Sequence, residues 1–294
     1  MNHITLKAYA KINLGLDVVR KREDGYHEVR MIMQTINLYD KLTINRTNNT
    51  SIMLNTNLQY LPSDENNLVY KAAALIKNEF SITQGVYINL EKKIPVAAGM
   101  AGGSSDAAAA LYGMNLLFGL KLSRQELMRL GLRLGADVPY CIMRGTVLSE
   151  GIGEILTPLP PFPNCHVLVV KPGISVSTKH VYENLHLDET VKHPDIDGII
   201  RSIGRKDLHG AVRLFGNVLE TVTEKEYPVI TELKEKILES GAICSLMSGS
   251  GPAVFGLFDN TGRAEKAFYQ FKVGNLGKQV YLTDFYHPGY KVIS

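Results

Sequence analysis

Apolar and polar positions alternate at two periods along this 294-residue chain, and the short period dominates its beginning. Thr5 to Val18 is apolar and rich in small residues, interrupted by Lys7 and Lys11. It predicts strands separated by a bend near Asn13-Leu14-Gly15. Met31 to Leu38 and Lys41 to Ile44 predict further strands, and Ser51 to Leu54 predicts one that returns after the polar Asn45–Thr50 turn. The loop Pro62–Asn67 leads into a helical pattern from Leu68 to Phe80. Val86 to Lys92 alternates and stops at Ile94-Pro95, the mark of a strand. The apolar run after Ser105 (Ala107 to Ala110, Leu111, Met114, Leu117) predicts a helix with one packed face. Ser123 to Leu134 predicts a second amphipathic helix, with Ser123 and Glu126 spaced as a capping box.

The segment Thr157-Pro158-Leu159-Pro160-Pro161-Phe162-Pro163 holds four of the twelve prolines. It is the best candidate domain boundary, dividing the chain into 1–160 and 161–294, with the last strand free to return to the first domain. Beyond it, His166 to Val170 predicts a buried strand. Asp207 to Leu219, Val229 to Ser240 and Ala264 to Phe271 predict helices. Ala242 to Met247 and Ala253 to Phe258 predict strands around Ser248-Gly249-Ser250-Gly251-Pro252, and Gln279 to Tyr286 a closing strand. A strand pair flanked by helices suggests a ferredoxin-like second half.

Composition narrows the class. Hydrophobic residues make up 45% and charged residues 21%, as in ordinary globular enzymes. The net charge of +3, with no basic run or stripe, argues against a nucleic-acid partner. Cys141, Cys165 and Cys244 lie far apart and form no C-x-x-C, so neither a disulfide framework nor a zinc site is expected. They suit a reducing cytoplasm. Met1 to Lys7 lacks an apolar signal core, and the longest apolar stretch, Ala97 to Leu120, is broken by Gly102-Gly103-Ser104-Ser105-Asp106; no membrane span is expected. The sequence leaves the oligomeric state open.

The chemistry concentrates between Pro95 and Ser105. Glycines at 99, 102 and 103 permit tight turns and close backbone approach. Ser104 or Ser105 is placed to cap the helix that follows, whose free N–H groups and positive dipole end make an anion site. Lys92 and Lys93 stand just upstream. By itself the segment reads equally as a glycine-rich turn before a core helix. It is neither a Walker loop nor a dinucleotide fingerprint.

Three elements together change the balance: Lys11-Ile12-Asn13-Leu14, the Pro95–Ser105 loop and Met247-Ser248-Gly249-Ser250-Gly251-Pro252. In order and spacing they resemble the three motifs of the GHMP small-molecule kinases. Asp24-Gly25-Tyr26-His27-Glu28 and Gly135-Ala136-Asp137-Val138-Pro139 extend the likeness to members that phosphorylate a cytidyl diphosphate alcohol. The resemblance runs from Thr5 to Tyr286. It implies an α+β fold: an N-terminal domain like ribosomal S5 domain 2 and a C-terminal ferredoxin-like domain, with the active site in the cleft between them.

The resemblance also assigns roles. Asp137 is the base for the acceptor hydroxyl and Lys11 its electrostatic partner. Pro95, Val96, Ala97, Ala98, Gly99, Met100, Ala101, Gly102, Gly103, Ser104 and Ser105 hold the phosphates of ATP, and Asn67 contacts adenine. Asn13 bonds the acceptor or its phosphate. Tyr26 and His27 read the cytosine, Tyr182 is a second aromatic on that base, and Thr178 contacts the substrate. Gly249, Ser250 and Gly251 close over the phosphates and acceptor. Mg²⁺ is implied with its ligands open, a hydroxyl of Ser104 or Ser105 among the candidates. Without the family, Asp137 reads as a turn-capping loop residue, Lys11 as an edge-strand lysine and Asn67 as a helix N-cap. Asp106 stands where an Asn or Ala is expected, and a place in the first helical turn would suit its charge. Acceptors such as homoserine or mevalonate carry no base for Tyr26 and His27, and a non-catalytic ligand binder needs neither Lys11 nor Asp137.

Overall fold

The computed structural model describes residues 2–188 and 191–288. Its first elements are β1 (His3–Lys21), β2 (His27–Arg46), β3 (Ile52–Thr56), α1 (Leu68–Glu79), β4 (Val86–Glu91), α2 (Gly102–Phe118), α3 (Arg124–Leu132) and α4 (Val138–Met143). There follow β5 (Thr146–Glu150), β6 (Ile155–Pro158), β7 (His166–Lys171), α5 (Thr178–Glu183), α6 (Ile196–Gly204), α7 (Leu208–Val212), β8 (Gly216–Asn217) and α8 (Glu220–Glu226). The last are α9 (Val229–Glu239), β9 (Cys244–Met247), β10 (Val254–Phe258), α10 (Thr261–Val273) and β11 (Gln279–Asp284). Two compact units emerge. One comprises the chain up to Ala10, Leu38–Val96 and Ala101–Met143; the other comprises Lys11–Asn37, Ala97–Met100 and the chain from Arg144 onward.

In the first unit the strand order is β3-β4-β2-β1. β4 runs antiparallel to β2, from Lys41↔Glu91 to Arg46↔Val86, and parallel to β3. The strand expected at Ser51–Leu54 forms and runs back opposite to β2, with β4 between the two. β4 takes the inner place because Val86, Ile88 and Leu90 are all buried, whereas β3 exposes Met53 and carries polar Asn55 to the edge. α1 buries Val69, Ala72, Ala73 and Ile76, one helical face. α2 is buried on more than the single face expected, from Ser105 through Leu111 and again at Gly113, Met114, Asn115 and Leu117. It packs against α1, α3 and α4. α3 carries the predicted capping box: Ser123 Oγ accepts the Glu126 N–H, and Glu126 accepts the Ser123 N–H at 2.8 Å. Such a cap contributes about 1 kcal/mol.

The second unit holds a four-stranded antiparallel sheet in the order β11-β7-β10-β9. With α9 before β9 and α10 before β11, the succession β7-α9-β9-β10-α10-β11 is the ferredoxin-like split βαβ. After β11, Phe285 forms a single bridge to Ile36 of β2. In the same unit β5 pairs with β2, β6 with β5, and β8 lies parallel to β1 at Gly15↔Gly216.

β1 and β2 are unbroken where the sequence predicts interruptions. No bend occurs at Asn13-Leu14-Gly15, because Ile12, Asn13, Leu14 and Leu16 bury side chains from both faces of a continuous strand. Gly15 serves a close approach instead: a Cβ there would lie 2.8 Å from Ile196 Cδ1 and 2.9 Å from Ile199 Cδ1 of α6. The helix expected over Asp207–Leu219 is also wrong. It gives way to α7, the short strand β8 and a turn into α8, since Gly216 pairs with β1 and Asn217 turns back on the Leu219 N–H at 3.0 Å. No helix among the described residues is long and apolar enough to cross a membrane. All three cysteines are buried and unpaired with one another.

Candidate active site

The segment Pro95–Ser105 joins β4 to α2, and its backbone alternates. Ala97, Gly99 and Ala101 take φ of 50°, 70° and 54°. Two of these are alanines, each held in the left-handed region at a cost of about 1–2 kcal/mol. Strain of this kind gathers at functional loops. Alternating left-handed residues curl successive N–H groups into a concave anion cradle. Gly99 has a second reason to be glycine: a Cβ would collide with the backbone carbonyl of Ser248. The cap prediction is corrected here. Ala101, not Ser104 or Ser105, is the N-cap of α2, with no side-chain cap bond. Both serines lie inside the first turn, because Gly102 and Gly103 already carry helical backbone. Ser105 Oγ donates instead to the Tyr9 carbonyl at 2.7 Å, while Ser104 is half-buried. The first N–H groups of this 17-residue helix therefore have no side-chain cap.

Beneath the loop is a buried ionic cluster that the sequence disclosed only in part. Lys92 Nζ donates to Asp106 Oδ2 at 2.6 Å and to Asp40 Oδ2. Asp40 Oδ1 accepts the N–H groups of Lys93 and of Ile94, the latter at 2.8 Å. Asp106 is thus not in the first helical turn. It is the fifth residue of α2, 2% exposed, and its Oδ2 accepts from Lys92, just after β4. Burial pushes the Asp106 carboxyl well above the ordinary carboxylate range; the Lys92 ammonium opposes the move and Asp40 adds to it. Burial pulls Lys92 down, but Asp106 and Asp40 outweigh it and the net move is up. Asp40 was missed, since a lone Asp at the end of Leu38-Tyr39 carries no local signal.

Lys11 and Asn13 share one face of β1, two residues apart. Both are buried, and Lys11 Nζ donates to Asn13 Oδ1 at 2.7 Å. Asn13 Nδ2 points at Met31 Sδ, 3.5 Å away. The Lys11 N–H donates to the Met100 carbonyl at 3.2 Å, so this strand also touches the glycine loop. A charged amine so placed is expensive unless hydrogen-bonded, and Asn13 supplies one such bond.

Asp137 immediately precedes α4, and its carbonyl accepts the Cys141 N–H at 3.1 Å, the first bond of that short helix. Its side chain is half-buried and makes no hydrogen bond or ion pair among the described residues. Asn67 caps α1: Oδ1 accepts the Val69 N–H at 2.9 Å and Nδ2 donates to the Pro62 carbonyl at 2.8 Å. Asp137, Asn67 and the helical end of the loop belong to the first unit; Lys11, Asn13 and Ala97–Met100 belong to the second.

The second unit brings the aromatic candidates partly together. The rings of His27 and Tyr182 lie 5.1 Å apart at 36°. Burial, then Lys21, holds the His27 imidazole below its ordinary pKa, which favours the neutral ring with one donor and one acceptor. Tyr26 does not join that pair and is 62% exposed. Thr178 opens α5, and its hydroxyl is 2.7 Å from that of Ser250. Gly249 and Gly251 take φ of 57° and 84°, and Ser248 Oγ donates to the Gly99 carbonyl at 2.9 Å.

Among the described residues no cluster of three or more His, Cys, Asp or Glu is placed to hold a metal ion. The side chains around the loop that could meet a metal offer hydroxyl and carboxylate oxygens, the hard donors that Mg²⁺ takes. Asp106 Oδ2 is taken by Lys92 and Ser105 Oγ by Tyr9; Asp106 Oδ1 is buried with no hydrogen-bond partner among the described residues, and Ser104 retains its hydroxyl.

Comparison with known proteins identifies the family of the chain. The model of the GHMP kinases N terminal domain matches residues 67–145, and that of the GHMP kinases C terminal matches 196–273. A protein of Lachnoclostridium phytofermentans named 4-diphosphocytidyl-2-C-methyl-D-erythritol kinase is 63% identical over 97% of this chain and 98% of its own. One of the same name from Lachnospira eligens is 54% identical over 98% and 100%. The crystal structure of a 4-(cytidine 5'-diphospho)-2C-methyl-D-erythritol kinase superposes with a TM-score of 0.83 at 32% identity, covering 97% of this chain and 100% of that one.

Proposed function

The chain belongs to the 4-diphosphocytidyl-2-C-methyl-D-erythritol kinases of the GHMP kinase family, and from that membership we propose how its residues divide the work. It is an ATP-dependent kinase of the non-mevalonate route to isoprenoids. The γ-phosphoryl group of ATP passes to the 2-hydroxyl of 4-diphosphocytidyl-2-C-methyl-D-erythritol. A new P–O bond forms to that oxygen, the bond to the β-phosphate oxygen breaks, and ADP leaves.

Asp137 accepts the hydroxyl proton; its carboxylate has no competing partner among the described residues. Lys11, held by Asn13, offsets negative charge developing on the oxygens in transfer. Asn13 keeps its place beside the acceptor. The Pro95–Ser105 backbone and the N-terminus of α2 hold the phosphates, and the alternating left-handed residues at 97, 99 and 101 are the observation that carries this assignment. Asn67 contacts adenine while capping α1. His27 and Tyr182 form an aromatic platform for cytosine with Tyr26 at its exposed margin, and Thr178 with Gly249, Ser250 and Gly251 holds the acceptor side. A Mg²⁺ brought in with the nucleotide would take the Ser104 hydroxyl as its protein ligand. When bound, it neutralises charge on the β- and γ-phosphates. We place the enzyme in the cytoplasm, with small molecules as its partners and neither nucleic acid nor membrane, and keep the domain boundary at residue 160.

Asp137→Asn tests the catalytic assignment. Turnover is expected to fall by about 10²–10⁴-fold, while ATP affinity, measured by calorimetry, stays within about threefold. Turnover within tenfold of the parent would remove Asp137 as the base.

A further inference from the structure

The segment Asn217-Val218-Leu219-Glu220 has no part in the roles above, yet both its polar side chains are spent on the loop at 247–252. Asn217 is buried, and its Nδ2 donates to the carbonyls of Met247 and Gly249, both at 2.8 Å. Its Oδ1 accepts the Leu219 N–H at 3.0 Å, which fixes the orientation of the amide. Glu220 Oε1 accepts the Met247 N–H at 2.6 Å, and Lys234 holds Oε2 at 2.6 Å.

A peptide unit is planar and trans, so fixing its carbonyl aims its N–H the opposite way. Opposite the Met247 carbonyl, the Ser248 N–H reaches Ala253 at 2.9 Å. Opposite the Gly249 carbonyl, the Ser250 N–H meets no acceptor among the described residues. Ser250 is only 5% exposed, and backbone donors in such places nearly always have a partner. An acceptor from beyond the described residues has to complete this donor's bond. The same loop bonds to Gly99 through Ser248 Oγ, so the idle donor stands beside the phosphate cradle.

We propose that Asn217 is a positioning residue for phosphoryl transfer: it turns the Gly249–Ser250 peptide so that the Ser250 N–H meets a phosphate oxygen of the bound substrates. The inference rests on the phosphate reading of the glycine loop. Asparagine suits the task because one nitrogen carries two hydrogens and bridges two carbonyls. Aspartate would keep the bond to Leu219 but turn an acceptor toward both carbonyls.

Hydrogen exchange of the whole enzyme with Mg²⁺, a non-hydrolysable ATP analogue and the cytidyl acceptor provides the test. In the parent, ligand is expected to protect the Ser250 amide together with those of Gly99, Gly102 and Gly103. Asn217→Ala should lose protection at Ser250 but keep it in the glycine loop. Its kcat should fall by about 100-fold, the scale of one aimed donor, with the KM for ATP within about threefold. Asn217→Asp, nearly isosteric, carries the same expectation should the alanine variant fail to fold. Protection of the glycine loop without Ser250 in the parent would overturn the inference and leave the phosphate reading intact. Protection of neither would remove both. A kcat per folded molecule within about threefold of the parent in both variants would also overturn it.

Discussion

His27 shows how one residue's surroundings set its chemistry. Burial, with Lys21 nearby, moves its pKa below the ordinary 6.5, so the neutral ring persists to lower pH than in the unfolded chain. The sign follows: the unfolded chain takes up this proton first, so stability from His27 is present above pH 6.5 and is lost as pH falls through the lower, folded pKa. If the neutral ring reads cytosine, the KM for the cytidyl acceptor should stay flat from pH 8 to 6.5 and rise only below, with the KM for ATP not following. A rise centred above 6.5, or one shared by ATP, would contradict the reader role. Tyr182 belongs to the same argument. Base–aromatic stacking contributes about 1–3 kcal/mol, so Tyr182→Ala should raise the acceptor KM about tenfold or more and leave that for ATP unchanged. Equal effects on both would end the stacking role. The two residues also differ in legibility. His27 stood in a motif, whereas Tyr182 reads like any core tyrosine until the ring contact is seen.

At the scale of elements, the passage from β4 through the glycine loop to α2 is held by charge as much as by packing. Lys92 at the end of β4 and Asp106 in α2 are bonded to each other, and Asp40 of β2 fixes the chain just before the loop. Removing one partner of a buried pair costs about 3–5 kcal/mol, and Lys92→Met should lose that much in denaturant unfolding. Asp106→Asn should be tolerated, because the upward shift of Asp106 already favours its neutral form and the amide oxygen still accepts from Lys92. A carboxyl with a raised folded pKa contributes stability at low pH that is lost as pH rises through that value. Asp106→Asn should therefore gain on the parent with rising pH. A loss as large as that of Lys92→Met would show that Asp106 acts as a full anion. Elements with an unbroken period or a cap, such as α1, α3 and β4, were legible in the sequence. α7, β8 and α8 were not, because Gly216 and Asn217 are ordered by partners on β1 and in the 247–252 loop.

For the molecule as a whole, the order of motifs was legible because each is a contiguous run with its own signal. The ferredoxin-like half followed from two strands and their flanking helices, and the sheet order β11-β7-β10-β9 bears it out. Asp40, Asn217 and Glu220 were hidden for the opposite reason. Each acts on a segment 27 to 54 positions away, across which no local pattern reaches. The account's central claim is the acceptor, and it is open to one direct measurement: ATP consumption by the purified protein with Mg²⁺. The acceptors would be 4-diphosphocytidyl-2-C-methyl-D-erythritol, its base-free methylerythritol phosphate, homoserine and mevalonate. Turnover with the cytidyl compound alone is the expected result. Turnover with homoserine or mevalonate, or equal turnover with the base-free phosphate, would contradict the cytidyl assignment.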